Sequence, residues 1–205
     1  MWKYSVIMLL SYLLGSVNCA IILSRRIYDT DVRSCGSGNA GATNAARVFG
    51  MRFGLITLGC DALKMLLSAG IGWLLCGQIG VTAAGIGCLI GHCWPCYFDF
   101  RGGKGVSVGA MTALLIDWRV FLAGAAVFFL LFLLTHTVSV CSVSAALSLP
   151  LTALLLSCPP ADLFLAGFTA LLVLFQHRSN LIRLAHGTEG KFVPGQRRPT
   201  GKPDK

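Results

Sequence analysis

Charge is what this sequence has least of. Only 12% of its 205 residues are Asp, Glu, Lys or Arg, against 55% apolar, whereas soluble domains carry about 25% charged residues. That scarcity excludes an ordinary water-soluble globule, and a mean hydropathy of +0.73 points to a membrane protein. The aromatic residues lie in apolar runs and do not alternate with basic ones, which argues against nucleic-acid binding. The nine cysteines form no short disulfide framework and read as small buried hydrophobes. A cleaved leader is also disfavoured, because no small-x-small site follows the first apolar run. That run, Tyr4 to Leu23, is about long enough to cross a bilayer and ends at Arg25-Arg26.

Long apolar runs are what the chain does have. Spans are predicted at roughly 4–23, 53–76 and 79–98, the last two joined by a tight Gly77-Gln78 turn. The run from Val106 to Ile116 is too short to cross alone and is expected to start in the preceding glycine loop, to tilt, or to be broken. Asp117-Trp118-Arg119 reads as a turn at the far interface, since two charges inside one long helix would each cost ~2.5–3.5 kcal/mol. Further spans are predicted at roughly 120–135, 138–157 and 160–176, with Pro159-Pro160 separating the last two. The fold expected is therefore all-α, a polytopic integral membrane protein of seven transmembrane helices. Residues 1–192 would form one domain and 193–205 a basic, flexible tail.

Seven crossings put segments 24–52, 99–105 and the C-terminal region on one side. They hold five, two and seven of the seventeen Lys and Arg residues, and the positive-inside rule makes that side cytoplasmic. Three polar segments thus converge on one face. In the first, Gly36-Ser37-Gly38-Asn39-Ala40-Gly41-Ala42-Thr43-Asn44 has nothing larger than Asn and is flanked by Arg33 and Arg47. Small residues let successive N–H groups converge on an anion, polar side chains add hydrogen bonds and arginines add charge, so the stretch reads as a phosphate cradle. The second segment places Lys104 beside Gly102-Gly103, with Arg101 nearby. In the third, His177, Asn180 and Arg183 share a helix face at i, i+3 and i+6, suited to another phosphorylated group.

Several patterns carry weaker readings. Gly36 to Gly41 fits G-x-G-x-x-G, but no strand precedes it as a dinucleotide fold requires, and Gly102-Gly103-Lys104 lacks the P-loop glycine spacing. Cys93-Trp94-Pro95-Cys96 is a C-x-x-C, but neither a second such pair nor a His pair completes a zinc site, and packing is the preferred reading. Asp61 and Lys64, at i, i+3 inside a span, are either a functional pair or a structural ion pair. Ser139 reads more as a packing serine than Ser142 does, and His136 as a loop residue.

These residues carry a resemblance. Asp31-Val32-Arg33 running into Gly36–Asn44 and Arg47, then Gly91-His92, Pro95 and Phe100-Arg101-Gly102-Gly103-Lys104-Gly105-Val106, then His177, Asn180, Arg183-Leu184, Gly187 and Glu189 resemble, in order and spacing, the three motifs of the bacterial PlsY family. These are acyl-phosphate:glycerol-3-phosphate acyltransferases. Ser107-Val108 stands where the family usually has Ala-Thr, so Val108 is not counted as a ligand, and Leu181 stands where Ile is usual.

The resemblance implies transfer of a fatty acyl group from acyl phosphate to the 1-hydroxyl of glycerol 3-phosphate, giving lysophosphatidic acid and phosphate in the bacterial inner membrane. The partners would be those two substrates and membrane lipid, with no nucleic acid, metal or cofactor. Ser37, Gly38, Asn39, Gly41 and Thr43 would hold the acyl phosphate. Lys104, His177, Asn180 and Arg47 would bind glycerol 3-phosphate beside Gly102 and Gly103, with Ser142 a weaker candidate. Ser37, Lys104, His177 and Asn180 would carry the catalysis, and Arg33, Asp61 and Glu189 would brace the loops. An acyl phosphate is already activated, so positioning and charge stabilisation are the main work. His177 has the intrinsic pKa of a general base, while the family is thought to pass the proton to a substrate phosphate. A transporter of organic phosphates is the alternative, and it would call for inverted repeats and a midplane site; no repeat is evident. A thiol oxidoreductase on Cys93 and Cys96 ranks third.

Overall fold

The computed structural model describes residues 2–193, which fold into helices and short connections with no strand among them. The tail expected over 193–205 lies, Val193 apart, outside the described residues. In place of one helix over 4–23, the chain forms α1 (Trp2–Ser16) and α2 (Cys19–Tyr28). Asn18 causes the break. Its backbone is extended, its side-chain oxygen accepts from the Ile21 N–H, and its amide donates to the Ala40 carbonyl at 3.0 Å. A short polar side chain favours such a cap over a helix interior.

A 3-10 turn at Val32–Ser34 leads through the glycine stretch into α3 (Ala42–Phe49). α4 (Met51–Cys93) has two limbs, because Cys76 and Gly77 leave helical geometry. A Cβ on Gly72 would strike the Gly80 backbone, yet residues eight apart lie ~12 Å apart along a straight helix. The chain therefore doubles back there, one residue from the expected turn. The second limb stops at Cys93, five residues short of the expectation, since Pro95 cannot continue it and biases Trp94 away from helical backbone.

α5 (Val106–Ile116) begins after Gly105, and Asp117 caps α6 (Trp118–Thr135) by accepting from the Arg119 N–H at 2.7 Å, so the expected turn is present. α7 (Val138–Leu155) and α8 (Pro160–Gln176) follow, and α9 (Arg178–Ala185) departs from α8 at 56°. Four helical stretches, α1–α2, α4, α6 and α7, are long and apolar enough to cross a membrane, and the bent α8–α9 pair makes a fifth.

Large apolar side chains such as Leu74, Leu133, Leu155 and Leu171 face outward, the inverse of a soluble fold and the arrangement lipid requires. α1 lies along the second limb of α4, where Gly87 and Gly91 meet the backbone of Met8 and Tyr12 so closely that a Cβ would collide. Small residues at such contacts are how membrane helices approach one another. Met65, Cys88, Leu89, Cys93, Val108, Leu165 and Leu172 fill the interior between α4, α5 and α8. That cluster is the floor on which the polar site stands, and Cys93 is part of it.

Candidate active site

The first loop is built from its own residues. Asn44, buried in the first turn of α3, accepts from the Ser37 N–H at 2.8 Å and donates to the Val32 and Cys35 carbonyls at 3.0 Å each. The Gly38 N–H is also turned inward, onto the Cys35 carbonyl. Gly41 caps α3 without a side-chain bond, so the N–H groups of Ala42, Thr43 and Asn44 lack intrahelical acceptors. The positive end of the helix lies there, with Thr43 in its first turn and the Asn39 amide beside Gly41.

Arg33 ties this loop to the next. It pairs with Asp31 at 2.9 Å and donates to the Phe98 carbonyl at 2.8 Å and the Arg101 carbonyl at 3.3 Å. Burial alone would raise the Asp31 carboxyl, but hydrogen bonds from Arg33 and Arg25 outweigh it and hold the group at about 2. Arg33 therefore remains paired across the working pH range.

The second loop sits on the end of α4. Gly102 and Gly103 donate their N–H groups to the Cys93 and His92 carbonyls at 3.1 and 3.0 Å. Those amides are spent on the fold, and the absent side chains let both glycines pack against His92, Cys93 and Pro95 at the end of α4. Lys104 then projects across to the third segment, where it donates to Asn180 Oδ1. Burial lowers its ammonium to about 8, Arg183 and Arg47 push the same way, and Glu189 opposes them.

Glu189 gathers the third segment. One carboxylate oxygen accepts from Asn180 Nδ2 at 2.6 Å and Ser139 Oγ at 2.8 Å, and the other accepts from Arg183 Nε at 2.7 Å. Burial works to raise this carboxyl, but those donors keep it below its ordinary value. Beyond it the chain crosses to the α6–α7 turn, where the Phe192 N–H bonds the His136 carbonyl and the Phe192 ring lies 5.6 Å from the Arg47 guanidinium. His177 is buried, with Nδ1 2.8 Å from the Val173 carbonyl; Nδ1–H donates there, which leaves Nε2 as the acceptor.

Lys104, Asn180, Glu189, Arg183 and Arg47 thus meet at one end of the bundle, with His177 one helical turn from Asn180. Ser139, not Ser142, makes the contact with Glu189; Ser142 is buried one turn further along α7. Asn18 and Asn44 are supports that sequence reasoning left unassigned. A lone Asn inside an apolar run was the available signal for Asn18. Asn44 looked like one more member of a polar stretch.

The family model described as glycerol-3-phosphate acyltransferase matches residues 5–187. The chain belongs to that family. A glycerol-3-phosphate acyltransferase of Syntrophotalea carbinolica is 36% identical over 196 residues, covering 94% of this chain and 99% of the relative. Two crystal structures of PlsY (YgiH), an integral membrane glycerol 3-phosphate acyltransferase, share the fold. The glycerol 3-phosphate form has TM-score 0.87 at 31% identity, covering 93% of this chain and 96% of that one. The lysophosphatidic acid form has TM-score 0.84 at 30% identity, covering 93% and 95%. Membership extends to nearly the whole chain, so this protein is a membrane acyltransferase of the glycerol-3-phosphate acyltransferase family, and its helical bundle is an integral membrane fold.

Proposed function

We propose that this chain moves a fatty acyl group from acyl phosphate to the 1-hydroxyl of sn-glycerol 3-phosphate, releasing lysophosphatidic acid and inorganic phosphate. The observation that carries the reading is the meeting of Lys104, Arg47, Arg183 and Asn180 at one end of the bundle; Arg47 belongs to α3, whose first N–H groups lack intrahelical acceptors. The cation cluster and the start of the helix that supplies Arg47 offer two anion sites, as two phosphorylated substrates need.

The start of α3, with Ser37, Gly38, Asn39, Gly41 and Thr43, takes the acyl phosphate and stabilises the phosphate as it departs. Lys104, Arg47 and Asn180 hold the phosphate of glycerol 3-phosphate, and Gly102 and Gly103 let it approach the backbone. The His177 acceptor nitrogen orients the attacking hydroxyl, and Ser142 lines the floor. Arg33, Asp61 and Glu189 brace the loops. The hydroxyl oxygen attacks the acyl carbon and the carbon–oxygen bond to phosphate breaks. The hydroxyl proton ends on the released phosphate, which needs one, so no separate protein base is required. Desolvation of a bound activated anhydride and fixed orientation supply the acceleration.

The same reading makes the chain one domain over 1–192 with seven crossings, counting each limb of α4 and the short α5. It puts the active site on the cytoplasmic face of the bacterial inner membrane. Transfer from palmitoyl phosphate to radiolabelled glycerol 3-phosphate tests it. Product from acyl phosphate and not palmitoyl-CoA, lost in Lys104→Ala, is expected. Membranes that bind or carry glycerol 3-phosphate without acylating it would instead establish the transporter.

A further inference from the structure

Below the second loop lies a cluster of ionisable side chains that no step of this chemistry uses directly. Asp61 and Lys64, on the first limb of α4, pair at 2.9 Å, and His92 at the end of the second limb lies 2.9 Å from Lys64 and 3.4 Å from Asp61. All three are nearly sealed from solvent, at 2%, 6% and 1% exposed. The remaining Asp61 oxygen accepts from Ser107 Oγ at 2.5 Å. Buried charge is retained only where partners satisfy it, and intramembrane ionisable groups are functional candidates by default.

What the cluster touches gives it a purpose. The Gly103 N–H bonds the His92 carbonyl, and the His92 ring fills the space where a Gly103 Cβ would stand. Ser107 lies three residues beyond Lys104, in the first turn of α5. The chain is therefore held immediately before and shortly after Lys104. In the other direction, the Lys64 ammonium donates to the Val17 carbonyl at 3.2 Å, at the break between α1 and α2. The next residue, Asn18, donates to the Ala40 carbonyl inside the first glycine loop. One continuous chain of contacts runs from Ala40 through Asn18, Val17, Lys64, Asp61 and His92 or Ser107 to both flanks of Lys104.

We infer that Asp61, Lys64, His92 and Ser107 are positioning residues that set the distance between the first glycine loop and Lys104, and so between the two phosphate groups. The inference rests on the acyltransferase reading above. Ser107 is the informative member, because its hydroxyl reaches Asp61 from the first turn of α5, three residues beyond Lys104.

The experiment uses full-length enzyme in lipid nanodiscs, with acyl transfer and thermal unfolding measured for wild type, Lys104→Ala, Ser107→Ala and Ser107→Thr. Ser107→Ala should lower kcat about tenfold while KM for glycerol 3-phosphate changes less than threefold and the unfolding midpoint hardly moves, since a misplaced group costs rate more than binding. Ser107→Thr keeps the hydroxyl and should recover kcat to within about twofold of wild type. The Asp61→Asn/Lys64→Met double variant removes both charges together and leaves neither unpaired; its kcat should fall about 100-fold at temperatures where it is folded. Wild-type kcat in Ser107→Ala, or a loss that Ser107→Thr does not restore, overturns the inference with the functional reading intact. So does a loss in both Ser107 variants that follows the unfolding midpoint. Wild type that makes no product overturns the functional reading, and this inference with it.

Discussion

The two glycine loops are built on opposite plans. The first is held largely by its own residues: Asn44 holds the turn from within, Asp31 and Arg33 close its base, Asn18 adds one bond from the bundle, and Ser37 and Gly38 stand exposed. The second has almost no internal bonding across Gly102–Lys104 and leans on the end of α4, which in turn rests on buried charge. A loop braced mostly from within can hold an anion with the Asn18–Ala40 bond as its tie to the bundle beneath it. A loop fixed from below ties Lys104 to the bundle, where a small shift of one helix moves the ammonium. Tolerance to change should therefore differ sharply between two stretches that look alike in sequence.

The largest contrast is expected at Gly102. An added Cβ would strike the His92 carbonyl and lie 2.7 Å from the Pro95 ring and 3.0 Å from the Cys93 carbonyl. Those neighbours are backbone and a rigid ring, so the loop must lift and carry Lys104 with it. Gly102→Ala should lose at least about 100-fold in kcat/KM, because misplacement by ~1 Å is worth that much. The check is steady-state acyl transfer at a temperature where circular dichroism shows native helix. Retention of activity within about threefold would mean that the second loop adapts as freely as the first.

Charge on Lys104 gives the next effect. Its ammonium titrates near 8 in the free protein, against an ordinary 10.5, because burial and the Arg183 and Arg47 cations disfavour it. Above that pH the free enzyme loses the cation, and kcat/KM for glycerol 3-phosphate should fall about tenfold per pH unit. Lys104→Arg keeps its charge throughout that range. Its plateau should be lower, since a planar fork replaces a compact ammonium, but it should stay level to about pH 10. Stability moves the other way. Between about 8 and 10.5 the unfolded chain binds the proton that the folded chain has released, so unfolding free energy rises with pH there. A parallel alkaline fall in both proteins would place the titration elsewhere.

Much of this was legible in the sequence, for physical reasons particular to each place. Apolar runs and the proline pair at 159–160 marked the helices, because lipid requires continuous apolar stretches and Pro160 opens α8. Gly36 to Asn44 announced a tight loop through its lack of bulk. The break at Asn18 was hidden, since a single Asn in twenty residues barely changes hydropathy while deciding where a helix must be capped. The early stop at Cys93 was missed because apolar residues continue past the proline that ends the helix. Gly102 and Gly103 read as backbone beside a bound phosphate, and only the fold reveals that α4 claims their amides. The bond from Ser139 to Glu189 had no signal in the sequence, because helical spacing puts Ser139 and Ser142 on one face and only the returning chain at Glu189 distinguishes them.

Gly38 offers the smallest effect and the finest test of the comparison. Its φ is +72°, a conformation that L-residues avoid, but an added Cβ would meet nothing closer than the Arg33 carbonyl at 3.4 Å. The cost in Gly38→Ala is thus one of conformation, ~1–2 kcal/mol, and it falls on an exposed loop that Asn44 still holds. Activity should drop by no more than about tenfold, expressed as a raised KM for acyl phosphate. Asn adopts the left-handed region more readily than Ala, so Gly38→Asn should recover most of that loss despite its greater bulk. If Gly38→Asn proves worse than Gly38→Ala, size rather than backbone conformation governs the position. The donor phosphate would then pass directly over Gly38, and the first loop would be as closely fitted to its ligand as the second is to α4.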